Sequence, residues 1–143
     1  GRTVYKKKLI NLVERYNLNK NVIFINNCKE MPLAYSLADV VVSASIEPEA
    51  FGRVAVEAQS MGKPIIASNI GGSKETILNK KTGFLYKFDD PRELAKSLNT
   101  VIQLNEEELK SMGNEGRKNI TKKYDVESMC DSNLNEYKKL LKN

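Results

Sequence analysis

Two carboxylates, Glu49 and Glu57, punctuate the stretch EPEAFGRVAVEAQSMGKP (residues 47–64), and Arg53 is the only opposite charge between them. The chain has no histidine, which excludes His-based triads and His-bearing zinc sites. General acid–base work therefore falls to carboxylates, lysine or tyrosine. Cys28 and Cys130 stand far apart and form no CxxC pair. On a helical wheel Glu57 lies between Arg53 and an apolar stripe of Val54, Ala58 and Met61. A carboxylate entering a half-dry crevice needs hydrogen-bond donors, and the 2′- and 3′-hydroxyls of a ribose would supply two. The competing reading is a surface pair with Arg53 one turn back. Glu49 precedes the helix, where its charge suits the helix dipole as well as it would suit a sugar hydroxyl.

The elements that must position these acids can be read from periodicity. GRTVYKKKLINLVERYNL has apolar residues at helical spacing and is ended by residues 17–21. VIFI (22–25) reads as a short buried strand, and MPLAYSLA as a small helix with Pro32 near its start. VVVSA (40–44) is the strongest strand, followed by the loop SIEPEAFG and a helix over residues 52–61. PIIAS is the next strand, then the loop NIGG and a short helix near residues 73–78 that Ser73 could cap. FLYKF is a short extended piece. Helical periods follow over 91–104, 106–122 and 126–141, with Asp89-Asp90 read as a cap before Pro91.

Short apolar strands alternating with helices predict an α/β, Rossmann-like three-layer domain with a parallel sheet covered on both faces. Ligands in such sheets bind beyond the carboxyl ends of the strands. Two loops leave strand ends there, residues 45–52 and 69–72. In the first, amides of residues 50–54 would point outward at a helix start, and Gly52 would let an anion approach. In the second, Gly71 and Gly72 suit positive φ or close backbone approach to a ligand, or simply a tight turn.

The longer pattern S-x-E-P-E-A-F-G-x4-E-A-x3-G-x-P-I-I-A-S-x2-G-G-x2-E (residues 45–75), completed by TGFL at 82–85, goes further. It closely resembles the donor-binding domain of retaining GT-B glycosyltransferases of the group-1, sucrose-synthase-like family. That family's E-x7-E mark is Glu49 and Glu57 here, and the resemblance runs over nearly all of the chain. It implies that residues 1–143 are a single donor-binding domain, the C-terminal half of a GT-B fold without its first strand, from a longer two-domain enzyme. Glu57 would then accept from the ribose hydroxyls, and Glu49, the catalytic residue, would bind hydroxyls of the donor sugar and hold its anomeric carbon in line. Amides around Ala50, Phe51, Gly52 and Arg53 would meet sugar and diphosphate, with Val54 beside them. Asn26, Asn27 and Cys28 would face the base edge, and Gly71 and Gly72 would shape the neighbouring loop. The donor implied is a UDP- or GDP-linked sugar, with no cofactor and no obligatory metal. The basic side chains that grip the diphosphate, and the acceptor-binding domain, would lie outside this chain. The isolated chain is therefore expected to bind nucleotide weakly, if at all, and not to turn over. The implied location is cytoplasmic, at or near the inner membrane face.

Composition narrows the competing classes. The net charge is +5, but 18 of the 23 basic residues are lysines scattered along the chain beside 15 asparagines, as an AT-rich genome produces. No aromatic-interleaved basic motif accompanies them, so nucleic acid is not an expected partner. The apolar runs are too short to span a bilayer. No G-x-G-x-x-G follows a strand, which argues against an NAD site. A non-catalytic nucleotide- or sugar-binding module of the same fold is the alternative reading.

Overall fold

The computed structural model describes residues 2–141 and contains two compact units, divided between Glu30 and Met31. The first unit carries α1 (Arg2–Arg15). Asn17, at φ 55, closes this helix: its amide bonds Glu14 O (3.0 Å) and the Leu18 amide bonds Val13 O (2.8 Å). Those two bonds satisfy carbonyls that the helix end would leave orphaned.

VIFI, which follows, is not a strand. Ile23 and Ile25 are 86% and 75% exposed, and none of residues 22–25 joins a ladder. A β-branched run fits a pleated, half-buried surface, and without a neighbouring strand it has no ladder to stabilise it.

The second unit opens with α2 (Met31–Leu37), Pro32 sitting in its first turn where the missing donor is harmless. Then come β1 (Val41–Ser43), α3 (Arg53–Ser60), β2 (Ile65–Ser68), α4 (Ser73–Thr76) and β3 (Gly83–Tyr86). The three strands form one parallel sheet in the order β1-β2-β3, with Val41 opposite Ile65 and Ile65 opposite Gly83. The extended piece FLYKF thus supplies the third strand. Ser73 does not cap α4; Gly72 occupies the cap position, no side chain caps it, and Ser73 is the first helical residue.

All four residues of β2 are buried, as expected for a central parallel strand covered on both sides. Ile65 and Ala67 pack with Tyr35, Ala55, Ala58 and Ile77 on one face. Ile66 packs with Tyr86 and Val101 on the other, joined by Phe84, Leu94, Leu98 and Leu109. Phe88, just past β3, is 47% exposed.

Three further helices complete the unit, each with a side-chain cap. In α5 (Pro91–Ile102) the Asp90 carboxylate accepts from the Arg92 and Glu93 amides, with Pro91 in the first turn. Asn105 and Glu108 form a reciprocal capping box on α6 (Glu106–Lys123). Asp125 caps α7 (Val126–Leu140), which contributes no buried residue. Among the described residues, no helix is long and apolar enough to cross a membrane.

Candidate functional site

The loops after β1 and β2 meet at the carboxyl end of the sheet, and glycines let them touch. The Gly72 amide donates to Glu49 O at 2.8 Å. A Cβ on Gly71 would lie 2.3 Å from Glu49 O, and one on Gly72 would lie 2.4 Å from the Phe51 carbonyl carbon. The paired glycines therefore serve a close approach, but to the chain's own first loop. That one hydrogen bond and the close backbone contacts hold residues 49–51 against the second loop.

Gly52 turns that loop into α3. At φ 73 and ψ 53 it adopts the left-handed conformation that glycine tolerates best, and its carbonyl accepts from Ala55 N (3.0 Å) and Val56 N (3.2 Å). The Arg53 and Val54 amides, first and second in the helix, have no acceptor among the described residues. They are two donors at the positive end of a helix dipole. Ala50 and Phe51 are exposed just before them, and the Phe51 ring meets Tyr124 edge-on at 5.6 Å between centroids. Tyr124 in turn donates to Glu75 O at 3.2 Å.

Each carboxylate is held by a hydroxyl. Ser45 Oγ donates to Glu49 Oε1 at 2.6 Å, and both sit on the loop after β1. Glu57 Oε2 accepts from the Tyr35 phenol at 2.9 Å, and Oε1 from the Arg53 guanidinium at 3.0 Å. The surface pair with Arg53 is thus real, yet it uses one of the roughly four lone-pair positions of a carboxylate and Tyr35 uses another. Arg53 is 84% exposed and Glu57 36%, so that pair is screened and weak. Burial, then the hydrogen bond and charge of Glu57, push the Tyr35 phenol up to about 12. Beside Tyr35 and Glu57 a cavity of about 290 Å³ opens between α2 and α3, floored by Met31, Pro32 and Met61.

Glu49, Phe51, Gly52, Gly71 and Gly72 are brought together, and Arg53, Val54 and Glu57 continue from them along one helix. Asn26, Asn27 and Cys28 belong to the first unit. Asn26 accepts there from Lys6 Nζ, and Cys28 is a half-buried free thiol. Sequence reasoning missed Tyr35 and Ser45. Ser45 heads the motif itself, four residues before Glu49; Tyr35 carries no sequence signal beyond its inward place on a short helix. Among the described residues, no three His, Cys, Asp or Glu side chains gather as metal ligands would.

A parallel α/β sheet with its loops, acids and free amides gathered at the carboxyl edge is the frame of a GT-B glycosyltransferase half. The chain belongs to the Glycosyl transferases group 1 family, whose sequence model matches residues 1–119. The capsular polysaccharide biosynthesis glycosyltransferase CapM of Staphylococcus aureus is 31% identical over 126 residues, covering 82% of this chain and 32% of the relative. A crystal structure of a glycosyltransferase from Rickettsia africae superposes with a TM-score of 0.91 at 32% identity, over 99% of this chain and 38% of that one. Anabaena HepE in complex with UDP-glucose gives a TM-score of 0.88 at 28% identity, over 97% of this chain and 38% of HepE. The chain thus spans about a third of the length of these relatives.

Proposed function

We propose that residues 1–143 are the donor-binding domain of a longer two-domain enzyme that transfers a hexosyl group, with retention, from a nucleotide diphosphate sugar to a glycan or lipid-linked acceptor. The observation that carries this reading is the pair of free α3 amides, Arg53 and Val54, flanked by Glu49 and Glu57 with lone pairs to spare. Amides at a helix start suit a diphosphate, and carboxylates suit hydroxyls. The solved complex of HepE with UDP-glucose supports a UDP-linked donor, and a GDP-linked one fits the same chemistry.

In this reading Glu57 accepts from the ribose and Glu49 from the sugar ring, holding the anomeric carbon in line. Amides of Ala50, Phe51, Gly52 and Arg53 meet the sugar and the leaving diphosphate, beside Val54. Asn26, Asn27 and Cys28 meet the base, while Gly71 and Gly72 act by bracing residues 49–51. The leaving group is stabilised by amides and basic side chains, without an obligatory metal. The full enzyme works in the cytoplasm at the inner membrane face, in making a cell-surface polysaccharide. The isolated chain binds donor weakly and transfers no sugar.

Ligand-observed NMR with UDP, GDP, ADP and their sugar conjugates tests this. Glu57→Ala should weaken nucleotide binding by about 1.5–3 kcal/mol, the usual worth of hydrogen bonds to a charged acceptor. Unchanged affinity would remove Glu57 from the ribose.

A further inference from the structure

Glu57 has several side-chain torsions and sits on a partly exposed helix face, so something must fix where its carboxylate points. Arg53 is a poor candidate, because it is 84% exposed and arises from the same helix one turn away. Tyr35 differs on every count. It comes from a different element, α2, and is only 5% exposed. Its ring is part of the core formed with Ala55, Ala58, Ile65 and Ala67. Its hydroxyl donates to Glu57 Oε2 at 2.9 Å, and the carboxylate, with lone pairs to spare, lines the α2–α3 cavity. A phenylalanine would fill the same space in the core; only the hydroxyl reaches the acid.

We infer that Tyr35 is a positioning residue, which orients the Glu57 carboxylate for the vicinal hydroxyls of the donor ribose. This rests on the ribose role proposed for Glu57. A purely structural tie between α2 and α3 would affect every nucleotide alike. A positioning role shows itself only where the ligand carries the hydroxyls that Glu57 meets.

The test compares UDP and GDP with their 2′,3′-dideoxy counterparts, by NMR or calorimetric titration of the whole chain. The wild type should favour the ribose form by about tenfold or more, as expected when a charged acceptor loses its donors. Tyr35→Phe should shrink that preference several-fold while leaving dideoxynucleotide affinity unchanged, and should add nothing in a Glu57→Ala background. A wild type that binds the ribose and dideoxy forms equally overturns the ribose reading and this inference with it. A wild type that discriminates while Tyr35→Phe discriminates as well overturns the positioning role alone. Tyrosine labelled at Cζ gives an answer within the wild type, should Tyr35→Phe fail to fold. The Tyr35 resonance should shift with UDP or GDP and stay in place with the dideoxy forms; a resonance that moves with both or with neither overturns the inference.

Discussion

Gly72→Ala should be the most informative single-methyl change in this chain. Gly72 lies at φ −62 and ψ −18, ordinary for any residue, so the substitution introduces no backbone strain of its own. Its effect comes from contact. The new Cβ would stand 2.4, 2.5 and 2.7 Å from the C, O and Cα atoms of Phe51, all backbone. Reaching an ordinary separation requires the two loops to part by about an ångström, which is overpacking of the kind that costs about 1–3 kcal/mol. Parting them also lengthens the 2.8 Å bond from the Gly72 amide to Glu49 O, worth about 1 kcal/mol more. The sum is about 2–4 kcal/mol, a sizeable share of a typical domain's stability of about 5–15 kcal/mol. Urea denaturation of the variant should show a lower midpoint with an unchanged slope. Gly62→Ala is the matched control: φ there is +69 with nothing within 4 Å of a Cβ, so only the left-handed penalty of about 1–2 kcal/mol applies. Because Gly72 braces the segment that carries Glu49, its substitution should also weaken UDP or GDP binding, whereas Gly62→Ala should leave that affinity alone. Gly72→Ala with stability within about 0.5 kcal/mol of wild type would refute the bracing argument outright.

Two further outcomes follow from protonation. Tyr35 should ionise near pH 12 against an ordinary 10.0, because burial and then the Glu57 carboxylate oppose its charge. The folded chain holds this proton more tightly than the unfolded one, so the associated stability is full below about pH 10 and is lost as pH rises through about 12. Ultraviolet titration should show Glu57→Gln lowering that value, and no change would break the link between the two side chains. Asp125 is shifted the other way, its carboxyl held below the ordinary 3.8 by the Ser128 amide and hydroxyl. Its contribution is present above pH 3.8 and lost as pH falls through the lower folded value, so amide shifts of residues 126–129 should report fraying of α7 only in strong acid. Asp125→Asn, which keeps the cap without the charge, should remove that acid dependence.

How far the sequence could be read depended on whether a residue's partner lies within its own local run. Asp90 before Pro91 acts on the amides of Arg92 and Glu93, two and three residues on, and was legible at once. The buried run IIAS was legible because a parallel central strand needs apolar residues on both faces. VIFI has equally apolar residues and failed as a strand, since a ladder depends on a neighbour that composition does not name. The paired glycines sit between these cases. Their need for close approach was evident, but the partner that approaches is Glu49–Phe51 of the other loop, twenty-odd residues away, and only the fold reveals it.

The same distinction governs the two acids. Spacing on one helix made the Arg53–Glu57 pair easy to foresee, and by local physics it competes with any ligand role. What alters that balance is Tyr35, which arrives from α2 across 22 residues of chain with its ring set in the core. An acid held only by an exposed arginine one turn away is an ordinary feature of a helix surface. An acid also held by a buried phenol from another element has its direction fixed, beside a cavity and one turn from two unpartnered amides. A fixed direction is what a carboxylate needs to recognise a pair of hydroxyls, because pre-ordered acceptors lose less entropy on binding than mobile ones. The case for a ligand at Glu57 therefore rests less on the spacing of Glu49 and Glu57 than on the hydroxyl that sequence alone could not join to it.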